Sequence, residues 1–337
     1  MKSMTPFGIA GGVVLCAAGF LLDRRAMLQA YLFAWLVVLG VSLGALANLM
    51  VHTLSGGRWG EAVRPAFVSA ARTLPLVALL YIPVALGQNL LYPDAGTYFR
   101  LRSVAWLIAL VALAGWWLHA DRRAAARTAS AAGLIVYAVT MSFAAFDWIA
   151  ALEPTWYSSG FGLVVGVGQM LGGMAFGVAA AHWLHSGPRG EVRRAVFHDL
   201  GNLLLMYVLT WAYLAFTQFL IIWAENLPRE ISWYLPRTTT SWFWLGVALV
   251  VVHFCAPLAI LLSRTVKRSP RVLATVAGAL FLAHVADVFW LVIPGFRREG
   301  FAVTVFDLLA SVGIALIWGA AWYAAISSWT KTYGMAR

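Results

Sequence analysis

Apolar residues in this chain run in long blocks broken by short polar stretches. They do not alternate with the period of a half-buried strand or a surface helix. Ten blocks read as membrane spans: 7–22, 28–54, 66–90, 102–120, 129–151, 159–184, 199–224, 241–263, 271–293 and 301–326. A helix of about 20 apolar residues crosses roughly 30 Å of hydrocarbon, a length that every block but the short first one reaches or nearly reaches. None has the alternation over about ten residues that a membrane β-barrel strand needs. The pattern predicts an all-α polytopic protein with ten transmembrane helices and connections too short to hold a soluble domain. Block 7–22 is read as a retained first helix, because no convincing small-residue cleavage site follows it and a second span begins within a few residues.

Composition sharpens this. The 337 residues are 62% hydrophobic and 11% charged, whereas soluble domains carry about 25% charged residues. A water-soluble enzyme is thereby excluded. Cys16 and Cys255 stand far apart in apolar runs, which leaves no disulfide framework, CxxCH haem attachment or iron–sulfur ligand set. The net charge of +11 reads as topology rather than as a nucleic-acid footprint. Of the 24 Lys and Arg, 16 fall on the side that holds both termini, including Lys2, Arg122, Arg123, Arg189, Arg193 and Arg337, and eight on the other. The positive-inside rule then predicts that both termini are cytoplasmic. Trp106, Trp156, Trp183, Trp242 and Trp322, among the 17 tryptophans, fall near span ends as an interfacial belt does.

An internal echo suggests duplication. Residues 52–67, HTLSGGRWGEAVRPAF, and 182–197, HWLHSGPRGEVRRAVF, match at seven of sixteen positions with an offset of 130. Asp147 precedes Pro154 by seven residues, as Asp287 precedes Pro294. Spans 2–5 (28–151) and 6–9 (159–293) are therefore expected to be two four-helix bundles in a parallel repeat, flanked by spans 1 and 10.

Ionisable groups within spans are costly and mark function by default. Asp147, Asp287 and Asp307 are the strongest. His284 and Asp287 share a face at i, i+3; Tyr137, Thr140 and Asp147 are read as sharing another, and His253 sits mid-span. Tyr81 with Gln88, and Tyr207 with Gln218, add further polar pairs. With Glu153 at the outer mouth, these groups form a candidate proton path in which each site can hold or pass a proton. The competing reading is that they are paired polar groups that pack helices. His52, His119, His182, His185 and His198 cluster at helix ends, where solvation is the plain explanation. His253 and His284 are the one mid-membrane histidine pair, so a b-type haem and a metal site are not expected. Pro75, Pro83 and Pro257 interrupt helix hydrogen bonds, and the glycines of span 6 (Gly160, Gly162, Gly166, Gly168, Gly172, Gly173 and Gly177) point to tight packing.

The run from His52 to Gly60, with Ala71-Arg-Thr-Leu-Pro75 and Leu90-Leu-Tyr-Pro93, resembles the NrfD-like polytopic subunits of bacterial alternative complex III. So does Phe146-Asp-Trp-Ile149 leading to Leu152-Glu-Pro-Thr-Trp-Tyr-Ser158, and the second such subunit, the ActF type, is the most similar. The likeness spans about residues 40–295. It implies two four-helix bundles and a cofactor-free place in a quinol:cytochrome c, or oxidase-linked, oxidoreductase. In such a complex haem c and iron–sulfur clusters belong to multihaem and monohaem cytochrome subunits and an iron–sulfur protein. Quinol (menaquinol or ubiquinol) is usually oxidised at the sister subunit, and a terminal oxidase is a further partner. The subunit of this type is a structural partner and a candidate proton path. The chain departs from the pattern at Thr155, where histidine is expected, and at Asp94, where tryptophan is. Two alternatives stand beside this expectation: a subunit that binds quinol itself, and an independent secondary transporter.

Overall fold

The computed structural model describes residues 4–93, 96–121, 125–184 and 190–332. It is 87% helical, with no strand among the described residues, and ten of its helical stretches are long and apolar enough to span a membrane. Lys2, Asp94, Arg122, Arg123, His185, Arg189 and Arg337 lie outside the described residues, as does part of the second copy of the 52–67 segment.

The first stretch is α1 (Met4–Leu22) and the second α2 (Arg24–Ser55). Between them Asp23 accepts from the backbone N–H groups of Arg25 and Ala26, satisfying two donors that the start of α2 would otherwise strand. The third stretch is broken into α3 (Arg58–Ala71), α4 (Leu74–Leu79), α5 (Ile82–Leu86) and α6 (Gln88–Leu91). Pro75 and Pro83 each stand in the first turn after a break, where a missing N–H strands nothing. The sequence suggests one distorted span here; the backbone instead restarts at each proline. Tyr81 and Gln88, expected on one face, consequently belong to separate segments.

The fourth and fifth stretches are α7 (Thr97–Ala120) and α8 (Ala126–Trp148), the latter followed by a 3-10 turn, Ala150–Leu152. The sixth and seventh are α9 (Phe161–Leu184) and α10 (Gly190–Glu225). Two short helices, α11 (Pro228–Ile231) and α12 (Leu235–Thr239), form a hairpin before the eighth. That eighth stretch comprises α13 (Trp242–Leu249), a π-helical turn (Val250–Cys255) and α14 (Ala256–Leu262). A bridge, α15 (Arg264–Arg268), leads to α16 (Pro270–Val292) and, after a 3-10 turn at Ile293–Gly295, to α17 (Val305–Thr332). Helices α3, α10 and α17 overrun their apolar blocks, because backbone hydrogen bonding continues where side chains become polar.

α2 lies at the centre and is buried along nearly all of its length, against α3, α8, α9, α16 and α17. Lipid offers apolar surfaces no reason to leave it, so membrane helices associate through close packing of small residues and through polar links. Both devices are present. Gly44 of α2 meets Gly173 of α9 backbone to backbone, and Gly12 of α1 meets Gly313 of α17 in the same manner. The Trp318 indole donates to Ser42 and Thr73, tying α17 to α2 and to the break after α3. Asn48 of α2 donates to the Met170 carbonyl of α9 and accepts from the Tyr207 hydroxyl of α10. Large apolar side chains such as Leu21, Ile108, Phe216 and Trp244 face outward, as the lipid-facing surface of a bundle requires.

Candidate functional site

Three of the four acidic candidates are held by arginines. Asp147 accepts two hydrogen bonds from Arg102 of α7, one of them from Nε at 2.7 Å, and a third from the Trp106 indole at 2.7 Å. Arg297 reaches both oxygens of Asp307 at 2.7 and 2.9 Å. Asp307 also accepts from the backbone N–H of Thr304, so it fixes the start of α17 as one half of a capping box. Glu153, expected at an open mouth, is buried and accepts from Arg298 at 2.5 Å, linking the turn after α8 to the turn after α16. The Asp147 and Asp307 pairs are bidentate, a strong and directional arrangement, and with the single Arg298–Glu153 bond they latch one end of the bundle together. Tyr137 and Asp147 diverge on α8. Tyr137 donates to Gln169 of α9 at 2.9 Å, whereas Asp147 faces α7. Thr140 is buried between them in the sequence of the same helix.

Asp287 differs. It is 5% exposed on α16 and has no ion-pair partner among the described residues. The Trp211 indole of α10 lies beside its carboxyl without a hydrogen bond of normal geometry. One turn away His284 is 2% exposed, and both of its ring nitrogens lack a hydrogen-bond partner among the described residues. The same holds for His253, which the π-helical turn carries, with ring centroids 4.2 Å from Trp211 and 6.4 Å from His284. A π-turn widens a helix locally and often marks a functional position. At that separation the imidazoles cannot bond directly, so a proton passing between them needs an intervening water or hydroxyl.

Glycines of α9 make room for this cluster. A Cβ on Gly172 would lie 2.2 Å from His284 Cδ2, and one on Gly168 would lie 3.6 Å from His284 Cε1 and 3.8 Å from Asp287 Oδ2. Gly40 of α2 brings Gln169 and His284 to one spot, its Cβ position being 3.2 Å from Gln169 Cγ and 3.8 Å from His284 Nε2. Tyr137 therefore approaches the cluster through Gln169. The glycine stripe, which reads as packing alone in the sequence, here also shapes a polar pocket.

Asp287 opens onto a cleft of about 730 Å³ between α10, the α11–α12 hairpin, α13 and α16. Its walls are apolar and aromatic, with Gln218, Tyr234, Arg237, Thr238 and Asp287 as the polar exceptions. Phe216, Val247 and Val250, all exposed, flank its open side. Arg237 closes the end near the hairpin. It donates to the carbonyls of Trp233, Trp290 and Leu291 and stacks on the Trp233 ring at 3.7 Å. Burial pulls its guanidinium below the usual range, to about 9, so it is charged at neutral pH.

Arg102, Trp211, Gln169 and Arg237 also build the site, although in the sequence Arg102 and Arg237 read only as two of the eight cations on the side away from the termini. A signal was present for Arg102, since it opens an apolar block and a charge there calls for a partner.

Fold and site together define a polytopic α-helical membrane protein with a buried acid–imidazole cluster beside a lipid-facing cleft. No family model matches the chain, and no curated protein matches it either.

Proposed function

We propose that the chain is an integral subunit of a quinol-oxidising respiratory complex of the alternative complex III kind, and that Asp287, His284 and His253 carry protons within it. The single observation supporting the proton role is the contrast among carboxylates: Asp147, Glu153 and Asp307 each hold an arginine, and Asp287 holds none among the described residues. An unpaired carboxyl can take up and release a proton without breaking an ion pair. The motifs at 52–60, 71–75 and 146–158 support the family reading. Haem c and iron–sulfur clusters belong to partner subunits on this reading, beside an NrfD-like sister.

Orientation rests on the loop cations: 16 of the 24 Lys and Arg fall on the side that holds the termini, which favours cytoplasmic termini in the inner membrane.

Asp287→Asn is expected to leave the complex assembled and to lower quinol-linked turnover by about a hundredfold, the lower end of what one general acid–base group supplies. Asp147→Asn is expected to act differently. It takes one acceptor from Arg102, so its first effect is lower thermal stability, by about 1 kcal/mol or more. Turnover measured on the purified complexes, with subunit content checked on gels, tests both. Wild-type turnover in Asp287→Asn would remove the proposed proton role.

A second reading, that the chain binds quinol itself, is favoured by the cleft. A neutral amphipathic ring fits apolar walls, and its hydroxyl would find an acceptor in Asp287. A photo-reactive quinone analogue that labels Trp211 or Phe216 would support this reading, and labelling confined to a neighbouring subunit would exclude it.

A further inference from the structure

At the end of the bundle opposite the hairpin, a groove of about 700 Å³ opens between the start of α10, α15 and the first turn of α16. We infer that this groove binds the phosphate headgroup of an anionic membrane lipid. Arg194, Arg264 and Arg268 line it, together with Thr265 and Ser269. None of the three arginines has an ion-pair partner among the described residues. Asp199, an acid on the same stretch of α10, is turned to His198 at 3.8 Å and does not line the groove.

The groove is held by its surroundings. Arg264 and Arg268 stand one turn apart on α15, both exposed, while Lys267 between them turns inward and is buried. Its Nζ donates to Asn202 of α10 at 2.7 Å, and its stem lies over Gly201, where a Cβ would come within 2.5 Å of Lys267 Cγ. This lysine also lacks a carboxylate among the described residues, so it fixes α15 to α10 and adds a fourth uncompensated cation. α16 begins at Pro270 with no side-chain cap on Ser269, which leaves first-turn N–H groups and the positive end of a 23-residue helix at the groove.

Position decides between sources of phosphate. Arg194 opens the seventh apolar stretch, and Arg264 and Arg268 lie on the short bridge between the eighth and ninth, where a chain leaving and re-entering hydrocarbon meets lipid headgroups. A phosphodiester with acyl chains is anchored there by the apolar helix flanks, and a free phosphate is not. Basic pockets between spans on one membrane face commonly take such headgroups. The inference does not depend on the respiratory role proposed above.

The test uses the full chain in mild detergent, titrated with dioleoyl phosphatidylglycerol and followed by native mass spectrometry and thermal unfolding. The wild type is expected to retain phosphatidylglycerol and to unfold at a higher temperature with it, and phosphatidylcholine is expected to do neither. The double variant Arg264→Gln/Arg268→Gln is expected to bind phosphatidylglycerol about tenfold more weakly. Because both side chains are exposed, its unfolding temperature without lipid should match the wild type. Arg229→Gln, at the other end of the bundle, should change nothing. Equal retention of both lipids, or undiminished binding by the double variant, would overturn the inference. So would inorganic phosphate raising the unfolding temperature as far as phosphatidylglycerol does, since the site would then be one for free anions.

Discussion

Gly44→Ala is expected to separate α2 from α9 and to lower the stability of the whole bundle. A Cβ at Gly44 would lie 1.9 Å from the carbonyl oxygen of Gln169, 2.5 Å from its carbon and 3.1 Å from the Met170 nitrogen. All three obstacles are backbone, so no rotamer change relieves the clash. The helices must move apart, and that loosens the contacts facing each other along the crossing. The Asn48 bond to Met170 is one of these, and the approach of Gln169 and His284 to Gly40 is another. Alanine regains about 1 kcal/mol of helix propensity. Overpacking costs about 1–3 kcal/mol, and a contact this short belongs at the upper end. The net effect is destabilising. Gly278→Ala and Gly319→Ala are suitable controls, because nothing stands within 4 Å of either added Cβ. Thermal unfolding in detergent should show a marked drop for Gly44→Ala and none for the controls. Equal unfolding temperatures in all three would show that the α2–α9 crossing is looser than described.

Replacing Arg237 with methionine has the second large expected effect. The guanidinium is 2% exposed and caps the carbonyls of Trp290 and Leu291 at the end of α16, as well as Trp233 in the hairpin. The last carbonyls of a helix have no partner within it, so they depend on such a donor. Methionine fills the volume but strands the three oxygens, at about 1–3 kcal/mol each when they stay buried. The hairpin would detach before the bundle unfolds. Lysine would not rescue the site, because a single ammonium can neither fork to three carbonyls nor stack flat on Trp233. Limited proteolysis between residues 226 and 241, with unfolding temperature alongside, reads the result. Arg237→Met with wild-type protease resistance would show that the hairpin is held by something else. Trp233 and Tyr234 line the cleft beside Asp287, so loss of the hairpin should also abolish whatever function that cleft serves.

Much of the fold is legible in the sequence. Each span is a local property, since an apolar run of sufficient length is stable in hydrocarbon whatever its neighbours are. The polar candidates at 147, 284, 287 and 307 are legible for the same reason, as each is an anomaly within its own block. Span ends are less so, because a helix extends past the point where its side chains become polar, as α10 does at its start. The break-up of the third span at Pro75 and Pro83 is half legible. The prolines announce a disturbance, and the packing decides that it becomes a restart.

The sequence by itself determined the number of spans, the all-helical class and the uneven distribution of cations, because transfer into lipid depends only on a segment's own residues. Which carboxylate is free was decided by the tertiary structure alone. Arg102 and Asp147 are 45 positions apart, and Arg298 and Glu153 are 145 apart. Charges that distant along the chain neutralise each other only when helices bring them together, and of the four candidate carboxylates Asp287 alone meets no arginine among the described residues.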